Sequence, residues 1–108
     1  MSNDPKNPPT PTPGLREELE QALEQTEWNA LIPHSQRDGI VVVANPLPLV
    51  EVGLKIAQDD SVMLERWLQQ GLVTKPTPIQ LESWNSEPKR KFKILIVQPY
   101  VLVQEIIH

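Results

Sequence analysis

Five consecutive apolar residues, Ile40-Val41-Val42-Val43-Ala44, constrain this chain more than any other feature. β-Branched side chains favour extended backbone, and an apolar run without a polar break is what a strand covered on both faces requires. The chain must therefore build a sheet and supply partners to cover it. A second apolar run, Phe92, Lys93, Ile94, Leu95, Ile96 and Val97, is followed by Gln98-Pro99 and then by Tyr100 to Ile107. A tight hairpin at Gln98-Pro99 would ask for positive φ at the proline, which the ring forbids, so a bent or bulged strand is expected there. A third stretch alternates with period two, Val50, Val52, Leu54 and Ile56 against Glu51, Gly53, Lys55 and Ala57, and reads as a strand with one face partly solvated.

Helical signals lie around these strands. Leu15, Leu19, Ala22, Leu23 and Thr26 recur at spacings of three and four among strong helix formers, which predicts an amphipathic helix from Leu15. Thr26 is a candidate cap for a short second helix through Trp28, which Pro33 should bend or end before the turn at Asp38-Gly39. Asp59-Asp60-Ser61 supplies a cap for a helix carrying Met63, Leu64, Trp67 and Leu68, with Gly71 as its stop. Thr77-Pro78-Ile79-Gln80 has the cap, the first-turn proline and the glutamine of a capping box, so a short helix through Trp84 follows. Trp28, Trp67 and Trp84 read as core bulk in a chain with one Phe and one Tyr. The expected class is α+β, a small single-layer β-sheet with helices packed on one face.

The first fourteen residues contain five of the twelve prolines and no apolar side chain after Met1. Proline fixes φ and removes the amide donor, so this segment is expected to be a disordered, extended tail. Residues 1–14 are then the tail, and 15–108 form one domain, the size a chain of 108 residues permits. With no cysteine there are no disulfides, thiolate metal sites or cysteine nucleophiles. The N-terminus lacks a basic stretch leading into an apolar run, and no run approaches the roughly 20 apolar residues of a membrane span. A cytoplasmic protein without membrane insertion is expected. The net charge of −4 weighs against general affinity for nucleic acid.

The order of Leu15-Arg16-Glu17-Glu18-Leu19, the Trp28 segment, the strand before Asn45-Pro46, Leu49-Val50-Glu51-Val52 with Asp59-Asp60, the Trp67-Leu68 helix, and Gln98-Pro99-Tyr100-Val101-Leu102-Val103-Gln104-Glu105 resembles domain-of-unknown-function family 2288. The resemblance runs from Leu15 onward. It implies a bacterial source and one compact domain, and brings no catalytic or binding residues with it.

Site chemistry is sparse. His34, Ser35 and Asp38 have the residue types of a hydrolytic triad but crowd one turn, and no Gly-x-Ser-x-Gly elbow presents a serine. Gly14, Gly39, Gly53 and Gly71 are isolated, so there is no phosphate-binding glycine loop. Glu51, Asp59 and Asp60 are the best candidate carboxylates for a metal, ligand or enzyme site, but helix capping explains the aspartates with no added assumption. Lys89, Arg90, Lys91 and Lys93 form a basic cluster around Phe92, which in an RNA-binding reading would have to join Arg37, Lys55 or Lys75 on one face. Without a convergent catalytic set, cofactor motif or metal motif, the reading is a non-catalytic protein-interaction or regulatory module. The partner is another protein or a second copy. Its expected contacts are Glu17, Glu18, Glu20 and Glu24 on the acidic segment, Lys89, Arg90, Lys91 and Lys93 on the basic one, and an exposed strand edge at Tyr100 to Ile107.

Overall fold

The β-branched run forms a strand inside a sheet, buried on both faces as its composition demands. The computed structural model describes residues 11–106, and the expected tail lies outside these up to residue 10. The described elements are α1 (Pro11–Gln21), β1 (Glu24–Glu27), α2 (Trp28–Gln36), β2 (Ile40–Val43), α3 (Leu49–Ala57), α4 (Ser61–Gln69), β3 (Val73–Thr74), α5 (Pro78–Asn85), β4 (Lys91–Val97) and β5 (Tyr100–Glu105). The strands make one mixed sheet in the order β1-β4-β5-β2-β3. β5 pairs antiparallel with β4 and parallel with β2, and β1 and β3 are the edges.

The α+β class and the single sheet stand, but the helices cover both of its faces. Alternation along each strand sorts the side chains. Val43, Leu95 and Leu102 pack with Leu19 of α1 and with Leu49, Val50, Val52 and Leu54 of α3. On the other face Ile40, Phe92, Ile94, Val101 and Val103 pack with Trp28 and Leu31 of α2 and Trp84 of α5. Covering only one face would have left Phe92, which is fully buried, in water. Trp28, Trp84 and Phe92 form a mutual aromatic cluster with ring centroids 5.0 to 5.7 Å apart. The Trp28 indole N–H donates to Asn85 Oδ1 at 2.8 Å, so its burial leaves no orphan donor. Trp67 is half-buried against the α3 side.

Several local expectations are met atom by atom. Asp60 caps α4 through Oδ1, which accepts from the Met63 N–H at 3.1 Å. Thr77 and Gln80 make both bonds of the capping box, with Pro78 in the first turn of α5. Gly71, at φ 74, ends α4 in a Schellman motif, where the Leu72 N–H reaches the Trp67 carbonyl at 2.9 Å.

Other expectations are overturned. The segment read as a strand from Val50 is the helix α3. Its apolar residues satisfy both periods, and Gly53 decides for the helix by allowing close approach to the sheet. A Cβ built there would stand 2.7 Å from Leu95 Cδ2 and 3.2 Å from Val97 Cγ2. The first helix starts at Pro11 and ends at Gln21, and Thr26 lies in β1 opposite Phe92, so it caps nothing. Pairing with β4 overrides the helix propensity of Glu24 and Gln25. Glu27 occupies the α2 cap position without a side-chain bond, and α2 continues through Pro33 to Gln36. Gln98-Pro99 forms the tight hairpin, with Val97 opposite Tyr100. The antiparallel ladder running from Val97 opposite Tyr100 to Phe92 opposite Glu105 holds the turn closed. Consequently β5 lies between β4 and β2, and the strand edge expected at Tyr100 to Ile107 is closed through Glu105.

Candidate interaction site

The charged residues proposed as contacts fall into two unequal groups. Glu17, Glu18 and Glu20 are exposed on α1, and Glu24 is exposed at the start of β1. Lys91 and Lys93 are exposed on β4, opposite Glu27 and Gln25 of the neighbouring strand, so part of the basic cluster already stands beside acidic β1 in the same molecule. Lys89 is exposed in the α5–β4 turn. Arg90 is committed internally. Its Nε and Nη2 donate to Glu105 Oε1 at 3.0 and 2.6 Å, and its Nη1 donates to Glu87 Oε1 at 2.7 Å. Hydrogen bonds to these two carboxylates push the guanidinium pKa up. Arg90 thus ties the turn to the end of β5 and is withdrawn from the expected surface.

The carboxylates of the metal or enzyme alternative do not converge. Glu51 Oε2 accepts from Arg16 Nη1 at 2.5 Å, joining α3 to α1. The Arg16 hydrogen bond holds the Glu51 carboxyl below its ordinary range, although partial burial pushes the other way. Asp59 and Asp60 lie past the far end of α3, about 12 Å along the axis by helix rise. Asp59 is in the left-handed region at φ 56 and closes α3, while Asp60 caps α4. Among the described residues no group of three or more His, Asp or Glu could hold a metal ion. His34, Ser35 and Asp38 sit at the end of α2, where the Asp38 carboxylate accepts from Lys75 Nζ at 2.5 Å and takes no part in a triad. That contact raises the Lys75 pKa.

Nor do the basic residues share one face. Arg37 and Lys75 stand near the β4–β5 hairpin, whereas Lys91 lies at the opposite end of β4, about 20 Å away by strand rise. Lys55 is 3.8 Å from Asp60. Arg37 and Lys75 therefore do not meet the condition for the RNA reading.

Two clefts lie at opposite ends of the central strands. One, of about 240 Å³, follows the carboxyl end of β2 and is lined by Asn45, Thr74, Gln80 and Glu105 among others. Its polar groups are occupied. Asn45 Nδ2 donates to the Glu105 carbonyl at 3.1 Å, Gln80 belongs to the α5 capping box, and the Glu105 carboxylate receives Arg90. The other cleft, of about 250 Å³, opens at the hairpin and is lined by His34, Arg37, Gly39, Ile96, Gln98, Pro99, Tyr100 and Val101. Here Ile96 is 49% exposed on an otherwise buried face, and Tyr100 is 43% exposed. No carboxylate among the described residues pairs with Arg37, because neighbouring Asp38 is taken by Lys75. This cleft combines uncovered apolar surface with uncommitted charge. The sequence offered a signal for it only if Gln98-Pro99 were read as a hairpin, which puts Ile96 and Tyr100 at the sheet's end.

A family model described as a protein of unknown function, DUF2288, matches residues 14–105. The chain belongs to the DUF2288 family. The resemblance read from the residues is thereby confirmed, and the matched segment takes in every described strand and the hairpin cleft. The DUF2288 chain is also similar to a solved structure, the NMR solution structure of PA1075 from Pseudomonas aeruginosa, at 24% sequence identity and a TM-score of 0.75, covering 98% of this chain and 95% of that one. At that identity the likeness concerns the fold. No curated protein matches the chain. No helix among the described residues is long and apolar enough to cross a membrane.

Proposed function

We propose that this protein is a non-catalytic protein-interaction module of the cytoplasm that receives its partner at the hairpin cleft. The observation carrying this reading is the exposure of Ile96 on the face that α2 and α5 otherwise bury, next to Arg37. Apolar surface beside arginine and tyrosine is the composition of interface hot spots. Of the carboxylates of a catalytic or metal alternative, Glu51 is paired with Arg16 and Asp60 caps α4. The acidic face of α1, with Glu17, Glu18, Glu20 and Glu24, and the exposed Lys89, Lys91 and Lys93 belong in this reading to the rim, where charge orients an encounter more than it adds affinity.

The test is affinity purification of the tagged protein from its native host, in parallel with Ile96→Thr. Threonine keeps a β-branched side chain at a half-exposed strand position, so the fold is retained. A reproducible partner lost with the variant is the expected result. No reproducible partner, or one retained by Ile96→Thr, overturns the reading.

A further inference from the structure

We propose that the occupant of the hairpin cleft is a peptide segment of a partner protein in which carboxylate side chains flank an apolar residue. The inference rests on the interaction reading and adds the chemistry of the partner. Three observations carry it. Ile96 lies on the α2 face of the sheet, half-exposed, with buried Val101 opposite it in the hairpin, so an apolar side chain laid there gains contact on a paired strand surface. Arg37 is exposed directly after α2, and no carboxylate among the described residues reaches it. The nearest acid in sequence, Asp38, contacts Lys75 Nζ at 2.5 Å on the exposed surface beside the cleft, and Arg37 is the one Asp, Glu, Lys or Arg side chain among the cleft's lining residues. In a chain with net charge −4 this is a local reversal of sign.

The complement of an uncommitted guanidinium beside an apolar strand residue is a carboxylate beside an apolar side chain. Guanidinium presents donors in a fixed fork that fits a carboxylate in two parallel bonds, which gives orientation as well as attraction. A basic peptide would face Arg37 with like charge. A phosphate backbone would find the basic residues split between the two ends of the sheet, with Lys89, Lys91 and Lys93 at the end away from the cleft.

The test uses the purified full chain against a displayed library of random heptapeptides, with Arg37→Glu, Arg37→Gln and Ile96→Thr in parallel. Retained fold in each variant is checked by amide NMR spectra. Wild type is expected to enrich peptides with Asp or Glu on either side of Leu, Ile, Val or Phe. Titrating the most enriched peptide should shift the amide signals of Ile96, Arg37 and Val101 and leave those of Lys91 and Lys93 in place. Arg37→Gln should weaken that peptide about tenfold and Arg37→Glu about a hundredfold, with binding falling as salt is raised. Enrichment of neutral apolar peptides that Arg37→Glu still binds overturns the acidic assignment and leaves the interaction reading intact. Loss of all binding with Ile96→Thr but none with Arg37→Glu has the same meaning. No enrichment at all, or shifts confined to the α1 face, overturns the assignment of the cleft. A dimer in sedimentation that Arg37→Glu dissociates overturns the partner peptide in favour of the acidic α1 of a second copy.

Discussion

Gln104 is the buried polar side chain of the core among the described residues, 6% exposed, and replacing it measures how the loop after β2 is held. Its amide nitrogen donates to the Leu47 carbonyl at 2.7 Å and to the Ala44 carbonyl at 3.3 Å, tying the Asn45-Pro46-Leu47-Pro48 turn to β5. Gln104→Leu removes both donors at nearly constant volume. The Ala44 carbonyl keeps the Leu47 N–H at 2.9 Å, whereas no described backbone donor outside the regular elements reaches the Leu47 carbonyl. Leaving the half-buried Leu47 carbonyl unpaired costs at most about 1–3 kcal/mol. The added apolar burial of leucine returns about 1 kcal/mol. With about 2 kcal/mol lost and about 1 kcal/mol returned, the net loss of about 1 kcal/mol corresponds to a drop in Tm of roughly 4–8 °C for a domain of this size. Thermal and urea denaturation followed by circular dichroism at pH 7 give the number. Gln104→Glu adds a sign test, because its carboxylate would face two carbonyl acceptors. Burial and acceptor repulsion raise the folded pKa of the introduced carboxyl above the ordinary value of about 4.3. Such a variant has its fullest stability below the unfolded pKa and loses it as pH rises through the folded one. Its deficit against wild type should therefore be larger at pH 7 than at pH 4. A Gln104→Leu midpoint within about two degrees of wild type, or a Gln104→Glu deficit independent of pH, would refute the reasoning.

Gly53→Val should destabilise by about 1–3 kcal/mol in urea denaturation, since the added carbons meet Leu95 and Val97 and force α3 off the sheet. An unchanged midpoint would mean that the sheet yields there without cost. Asp60→Ala should cost about 1 kcal/mol through the lost α4 cap, and millimolar Mg²⁺ should alter neither it nor wild type. Strong stabilisation of wild type alone by Mg²⁺ would restore the metal reading. Arg16→Ala should raise the Glu51 pKa toward its ordinary value, read by NMR titration of the carboxyl carbon. Because the folded pKa of Glu51 is depressed, its contribution is present above the unfolded pKa and lost as pH falls through the lower folded value. Wild type should therefore lose an acid-side contribution that Arg16→Ala lacks, and an unshifted Glu51 in the variant would remove the Arg16 contact as its cause.

What the sequence determined by itself lay in local chemistry. A cap, a capping box and a helix stop need only neighbours within a few residues, so Asp60, Thr77 with Gln80, and Gly71 were legible before any tertiary contact was known. The unbroken Ile40–Val43 run likewise announced a strand buried on both faces, because no arrangement solvates such a run. The tertiary structure decided wherever one pattern satisfied two periods or where charge had to be shared. Val50 to Ile56 fits strand and helix alike, although Glu51 and Lys55, four residues apart, carried a helical signal, and only the close approach at Gly53 to Leu95 settles it. Glu24 to Glu27 is helix-forming alone and a strand beside β4. The basic cluster reads as four like charges along the chain, yet Glu87 and Glu105 claim Arg90 from opposite sides of β4 in sequence. Conversely Arg37 stands in sequence beside an apparent partner, Asp38, which the fold gives to Lys75, thirty-seven residues away. Which charges remain for a partner is a property of distant pairings, and those exist only once the sheet has brought the segments together.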